Sequence, residues 1–303
     1  MRLGSSVNSA GLLARTEREA QHRFWAGVLF KAEPSLLGFS EFAPTRDFKI
    51  IQRMQPMSHN KRFDTIDTLR GFAIVWMTAF HFCFDLNQFG YTKQNFYTDP
   101  FWTTQRAAIV SLFVFCAGLS QAIAVHQGQS SQRFWRRWAQ IAGCALLVSA
   151  ASYWMYPKSF IYFGVLHGLA VMLVICRFTA GWSRWLLPLG AIAIAMPLIA
   201  ASAHNTLAGI EFLDEKAFNW LGFISRKPVT EDYVPLLPWL GVMWWGMAAG
   251  QFVLAHRVQW LAQPTAKALA PAAWLGRWSL SWYMLHQPVM IGLLMALAAV
   301  KPT

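Results

Sequence analysis

The sequence predicts an all-α fold, a transmembrane bundle of about seven spans with a cytoplasmic N-terminus. Three observations carry this reading. The 303 residues are 55% hydrophobic but only 13% charged, whereas a soluble domain is about 25% charged. Apolar runs close to the ~20 residues needed to cross the hydrocarbon recur from Gly71 onward, separated by polar breaks. The net charge of +12 comes from 26 Lys and Arg against 14 Asp and Glu, and the cations lie in short clusters between those runs. That distribution follows the positive-inside rule rather than the footprint of a nucleic-acid surface. Membrane lipid is therefore an expected partner and nucleic acid is not.

Residues 1–60 form an N-terminal extension of different character, mixing Ser, Glu, Gln and Arg with isolated aromatics. Its best apolar stretch, Phe24 to Phe30, is too short to span, and the charged residues before it are too irregular for a secretory signal. Met54 and Met57 precede the first apolar segment, so residues 1–56 read either as an over-extended start or as a disordered or interfacial arm. The domain proper is 61–303. Its spans are expected near 71–89, 104–126, 135–156, 160–178, 183–203, 234–254 and 273–298. They are apolar nearly all round, as buried or lipid-facing helices are.

Sidedness follows from the basic residues. With the N-terminus inside, Lys61, Arg62, Arg70, Arg133, Arg136, Arg137, Arg177, Arg184, Arg257, Lys267 and Arg277 are cytoplasmic. Lys93, Arg106, Lys158, Lys216, Arg226, Lys227 and Lys301 are outside, where the loop at 204–233 also carries five acids. Trp135, Trp138, Tyr153, Trp154, Trp182 and Trp185 stand near span ends, as interfacial aromatics do. Cys83, Cys116, Cys144 and Cys176 each sit in an apolar run with no CxxC spacing, so they read as packing residues.

Ionisable residues inside a span are costly and so are functional candidates. His81 follows Arg70 by eleven residues, ~16 Å along a helix, which places it near mid-membrane with Arg70 at the cytoplasmic mouth. Asp85 is four residues further on the same helix face. A carboxylate beside an imidazole fixes its tautomer, as a general base requires; a structural His–Asp hydrogen bond holding the bundle is the alternative. His167 lies between Gly164 and Gly168, where helices can approach closely, and reads first as a hydrogen-bonded packing residue. His286 precedes Pro288, which frees a backbone carbonyl within a span. The three histidines come from three helices without HxxxH spacing, so no metal is expected.

Asp67-Thr68-Leu69-Arg70-Gly71, then His81, and the late Leu285-His286-Gln287-Pro288 together resemble membrane acyltransferases. The chain is similar to the bacterial branch of the heparan-alpha-glucosaminide N-acetyltransferase family over about residues 60–298. The segment Asp232-Tyr233-Val234-Pro235-Leu236-Leu237-Pro238-Trp239-Leu240-Gly241 resembles a further landmark of that branch. The Arg-Gly pair before an apolar helix is shared with the broader acyltransferase-3 group, whose functional Arg and His are matched in type and spacing by Arg70 and His81. In one respect the chain departs from the lysosomal members, which are understood to use a histidine in the first luminal loop: the loop at 90–103 has none.

The resemblance implies an enzyme of the bacterial inner membrane that passes an acetyl or other acyl group from cytoplasmic acyl-CoA to a sugar or glycan on the far side. Acetyl-CoA would be a co-substrate, with no metal cofactor. Its phosphates suit the guanidinium forks of Arg70, Arg133, Arg136, Arg137 and Arg277, although Arg136 and Arg137 are more simply read as topology signals. His81, Asp85 and His286 would be catalytic, with His81 the base or transient acyl carrier. Asn87, Gln88, Tyr91, Asn95 and the loop at 204–233 would contact the acceptor. The rival readings are a transporter and a non-catalytic acyl-CoA-binding or lipid-binding module; the halves show no convincing repeat of the kind many transporters carry. Glycines such as Gly241, Gly246 and Gly250 offer close packing within one chain or between chains of a homo-oligomer.

Overall fold

The computed structural model describes residues 62–300 except 205, 208 and 264. The extension expected at 1–60 lies outside the described residues. Among those described, the chain is helical, and its β pairing is one isolated parallel bridge between Phe163 and Tyr233. The helices are α1 (Asp64–Gln88), α2 (Pro100–His126), α3 (Ser131–Met155), α4 (Val165–Thr179), α5 (Leu186–His204), α6 (Trp239–His256), the short α7 (Val258–Ala262), α8 (Ala270–Arg277) and α9 (Ser279–Val300).

Four helical stretches are long and apolar enough to cross a membrane by length and composition: Asp64–Gln88, Pro100–His126, Val165–His204 and Ser279–Ala299. The third is α4 and α5 joined through a 3-10 turn, Ala180–Trp185, with a kink at Ser183 where φ is 38°. Two side chains of α6 pin this kink: Trp244 donates its indole N–H to Thr179 Oγ1 at 3.0 Å, and Gln251 donates to the Ala180 carbonyl at 2.8 Å. Large apolar side chains such as Leu146, Leu147, Leu198, Leu285 and Leu293 point outward, the surface a lipid environment tolerates and water does not.

Several helix ends depart from the sequence expectation for local physical reasons. α1 starts at Asp64 rather than near 71, because Asp64 and Asp67 occupy its first turn, where carboxylates complement the helix dipole. Pro100 at the first turn and Asp99, which accepts from the Phe101 N–H at 2.8 Å, open α2. Residues 160–164 are not helical. Ser159 O accepts from Glu231 N–H and Phe163 O from Val234 N–H, so this strip lies along the 230–234 segment. Pro235 and Pro238 delay α6 to Trp239. The last expected span divides at Trp278 into α8 and α9.

The main core lies where α2, α4, α5 and α6 meet, around Val114, Met172, Cys176, Leu186, Met243 and Met247. Glycine makes this close packing geometrically available. A Cβ at Gly246 would strike the Phe115 carbonyl of α2, and one at Gly241 would strike the Gly190 carbonyl of α5. Gly250 likewise faces Ala122 and Leu119 of α2, so all three glycines are used within the chain. The four cysteines are free thiols, Cys116 and Cys176 fully buried. α1 packs against α2 on one side and against α8 and α9 on another, which sets it at the junction of two groups of helices.

Candidate functional site

The polar residues of α1 fall into two clusters. At its start, buried Asp67 gathers three guanidinium groups: Arg62 Nε at 2.7 Å, Arg70 Nη1 at 3.1 Å and Arg277 Nε at 3.8 Å. Arg277 also donates to Asp64 at 2.6 Å. This convergence depends on α8 lying against the α1 backbone, since a Cβ at Gly276 would strike the Asp67 carbonyl and one at Gly71 the Ala272 carbonyl. Arg70 reaches across to Ser120 of α2, donating to its Oγ at 2.5 Å, and Ser120 in turn donates to the Cys116 carbonyl.

Beside this cluster is a cavity of about 250 Å³ lined by Arg62, Asp67, Arg70, Ser120, Gln127, Gln129, Arg133 and Arg137, with Phe63, Ile66, Ile123 and Ala124 supplying its apolar wall. Four arginines against one carboxylate give it a net positive lining. Of the arginines picked out in the sequence, Arg70, Arg133 and Arg137 line it, Arg277 stands behind it on Asp64 and Asp67, and exposed Arg136 is not part of the lining. Sequence reasoning did not assign Arg62, Ser120, Gln127 or Gln129 to a site. Only Arg62, five residues before an acid, carried any signal; the others come from the far end of α2 and its exit loop.

The second cluster joins α1 to α9. The rings of His81 and His286 are 5.2 Å apart between centroids. His286 Nδ1 lies 2.8 Å from the Tyr283 carbonyl and 3.2 Å from that of Trp282. Carbonyls only accept, so Nδ1 carries a proton and donates, and in the neutral ring the lone pair is on Nε2. That Nε2 is buried without a partner, as are His81 Nδ1 and Asp85 Oδ2. The sequence expectation that Asp85 orients His81 is not the arrangement seen: no hydrogen bond joins them, and the neighbour within hydrogen-bonding reach of Asp85 is Gln287. The i,i+4 spacing puts both on one face, but His81 faces α9 and Asp85 turns to the residue after His286.

The other expected acceptor contacts have local duties. Asn87 Oδ1 accepts from the Gln94 N–H at 2.7 Å and from Thr92 Oγ1 at 3.2 Å, while Asn95 Oδ1 accepts from the backbone N–H groups of Tyr97 and Thr98. Both therefore shape the loop after α1. Gln88 and Tyr91 are exposed at its edge. His167 is placed apart from the other histidines. Its Nδ1 accepts from Gly164 N–H at 3.3 Å, so its Nε2–H donates to Ser149 Oγ at 3.0 Å, and Ser149 donates to the Ile161 carbonyl. It anchors the strip before α4. Among the described residues no three His, Cys, Asp or Glu side chains converge to hold a metal.

Asp232, a landmark of the sequence, accepts from the Val165 N–H at 2.8 Å and so caps α4 from a distant loop. Burial pushes its carboxyl above the usual carboxylate range, opposed by that hydrogen bond and by the charges of Lys227 and Arg106. Burial pushes the Lys227 ammonium down, and Arg106 adds to the shift. Tyr233 completes the dock by donating its hydroxyl to the Asn219 carbonyl at 2.6 Å, while Asn219 donates its amide to the Tyr162 hydroxyl.

The family model described as heparan-alpha-glucosaminide N-acetyltransferase, catalytic, matches residues 62–288, which takes in both clusters and the Asp232 dock. No curated protein and no solved structure matches the chain.

Proposed function

Since the chain belongs to the heparan-alpha-glucosaminide N-acetyltransferase family, we propose that it moves an acetyl or other acyl group from cytoplasmic acyl-CoA to a sugar or glycan acceptor on the opposite side of the bilayer. The family and the membrane-capable helices make it an integral membrane protein of acetyltransferase type. In the proposed topology it crosses seven times, by α1, α2, α3, α4, α5, α6 and α9, with the N-terminus inside and the bacterial inner membrane as its location.

The observation that carries the reading is that one helix, α1, bears both Arg70 of the arginine cavity and His81 of the histidine pair. Arg70 and His81 are eleven residues apart, ~16 Å, a span that an extended pantetheine arm covers. A cavity of about 250 Å³ takes the phosphate end of CoA rather than the whole molecule. Arg62, Arg70, Arg133 and Arg137 would hold those phosphates through charge-assisted hydrogen bonds, leaving the thioester to lie along α1 toward His81 and His286.

There the acceptor attacks the thioester carbonyl. A bond forms from the acceptor nitrogen or oxygen to the acyl carbon, the carbon–sulfur bond breaks, and the thiolate leaves. An imidazole takes the acceptor's proton. His286 is suited to this role, because its Nδ1–H is tied to the α9 backbone and its Nε2 lone pair is buried without a partner beside the His81 ring. His81 completes the pair as second proton acceptor or transient acyl carrier.

The test uses purified protein with labelled acetyl-CoA. His81→Ala is expected to lower acyl transfer about 10²-fold or more with donor binding retained, and Arg70→Ala to raise the donor Kd about 10-fold or more. Normal turnover in the first variant, or an unchanged donor Kd in the second, would remove that residue from its role. Absence of both thioester loss and acyl-CoA binding in the wild type would favour a transporter instead.

A further inference from the structure

Two acids are buried in the bundle, Asp67 and Asp85, and a third, Asp232, is half-buried beside it. Asp67 has Arg62, Arg70 and Arg277 at ion-pair distance, and Asp232, though in no ion pair among the described residues, accepts from the Val165 N–H and lies in the field of Lys227 and Arg106. Asp85 is 2% exposed, belongs to none of the ion pairs formed among the described residues, and has an Oδ2 with no hydrogen-bond partner. Its neighbour is the uncharged amide of Gln287. A buried carboxylate in this state is expensive unless a cation meets it. The adjoining histidines are incomplete in the same way, each with one buried nitrogen lacking a partner, His81 Nδ1 and His286 Nε2.

We propose that Asp85 is the specificity-determining residue for the acceptor, receiving a primary amine as its ammonium ion and so selecting amines over hydroxyls. The inference rests on the acyl-transfer reading above. Asp85 lies one turn from the end of α1 at Gln88, so an acceptor arriving from the loop side meets it before His81, about 6 Å deeper.

The proton count fits two imidazoles better than one. An ammonium acceptor must lose one proton to become a nucleophile, and this passes to an imidazole. The nitrogen then bonds to the acyl carbon, the carbon–sulfur bond breaks, and a second nitrogen proton passes through the other imidazole to the leaving thiolate. The first proton is released to solvent. In sum, R–NH3+ and the thioester give the amide, the CoA thiol and one H+. A hydroxyl acceptor brings one proton and no charge, which leaves Asp85 without a cation and one imidazole without a task.

The experiment compares wild type, Asp85→Asn and Asp85→Glu as full-length protein in detergent, with labelled acetyl-CoA as donor, D-glucosamine as probe acceptor and glucose as its hydroxyl counterpart. Losing one partner of a buried charge pair costs about 2 kcal/mol or more, so Asp85→Asn is expected to raise the KM for glucosamine about 30-fold or more. kcat should change far less, and Asp85→Glu should recover part of the preference for amine over hydroxyl. An unchanged KM with a lowered kcat would assign Asp85 to histidine orientation and overturn the inference.

Binding of glucosamine without donor, followed by saturation-transfer NMR, separates the two levels of the argument. Asp85-dependent binding without any transfer would leave the ammonium site standing and remove the acyltransferase. Transfer with equal KM in wild type and Asp85→Asn would do the reverse. If wild type binds neither glucosamine nor its methyl glycoside, the ammonium site falls. Should Asp85→Asn fail to fold, Asp85→Glu carries the test through its shifted KM and retained amine preference.

Discussion

Asp67 and Asp85 are both buried carboxylates of α1, each 2% exposed, yet Asp67 sits among three guanidiniums and Asp85 has none. The first cluster is saturated at its acid: Asp67 is met within the fold, and it holds an excess of arginines at the rim of a cavity. The second is open, with Asp85 Oδ2, His81 Nδ1 and His286 Nε2 all lacking partners. A carboxylate met within the fold and one that lacks a partner can therefore lie on one helix, and hydrogen-bond satisfaction tells them apart.

The contrast breaks most readily at Asp67. Asp67→Asn leaves Arg62, Arg70 and Arg277 around a neutral amide, and is expected to cost about 2–3 kcal/mol in thermal unfolding in detergent. That lies below the figure for a fully buried pair because Arg62 and Arg277 are about half exposed. Equal stability of variant and wild type would show that the saturated cluster does not brace the helix. Gly276→Ala probes the same end through packing: its Cβ would meet the Asp67 carbonyl, with an expected loss of about 1–3 kcal/mol and a weaker donor Kd as Arg277 and Asp67 separate.

The open cluster should respond with the opposite sign. Among the described residues the His81 ring has a buried Nδ1 without a partner, so His81→Leu is expected to leave stability unchanged or raise it by about 1 kcal/mol while transfer collapses. A marked fall in melting temperature would mean that His81 supports the bundle after all. Such opposition of stability and activity is characteristic of functional sites.

The smallest effect is expected at Asp232. Its carboxyl is raised by burial, so the native state keeps the proton to higher pH than the unfolded chain does. The wild-type contribution to stability is then greatest below the ordinary carboxylate value of about 4 and falls as pH rises toward the raised value. Asp232→Asn keeps an oxygen for the Val165 N–H and does not titrate. Its melting temperature relative to wild type should therefore climb across that window and level off above it. A flat difference across the titration would place the Asp232 carboxyl in the ordinary range.

Much of the architecture was legible because its determinants are local. Helical class, the positions of the long apolar segments and the C-terminal end of α1 follow from run length, proline placement and the spacing of Arg70, His81 and Asp85. Helix boundaries slipped where tertiary contacts compete with hydropathy: residues 160–164 are apolar enough to extend α4, but their carbonyls are taken by the 230–234 segment. The kink at Ser183 is held by α6 side chains about 60 to 70 residues away in sequence.

By itself the sequence determined that the chain is a helical membrane protein, which family its motifs resemble, and that His81 and Arg70 share a helix. These depend on composition and on distances along one element. Only the tertiary structure decided which groups complete one another. It gave Asp67 to three arginines, set His286 of α9 beside His81, withheld Asp85 from His81 and brought Ser120 and Gln129 to the arginine cavity. Those pairings depend on how separate helices lie against α1; for α8, close glycine contacts set this between residues some two hundred positions apart, beyond the reach of any periodicity in the sequence.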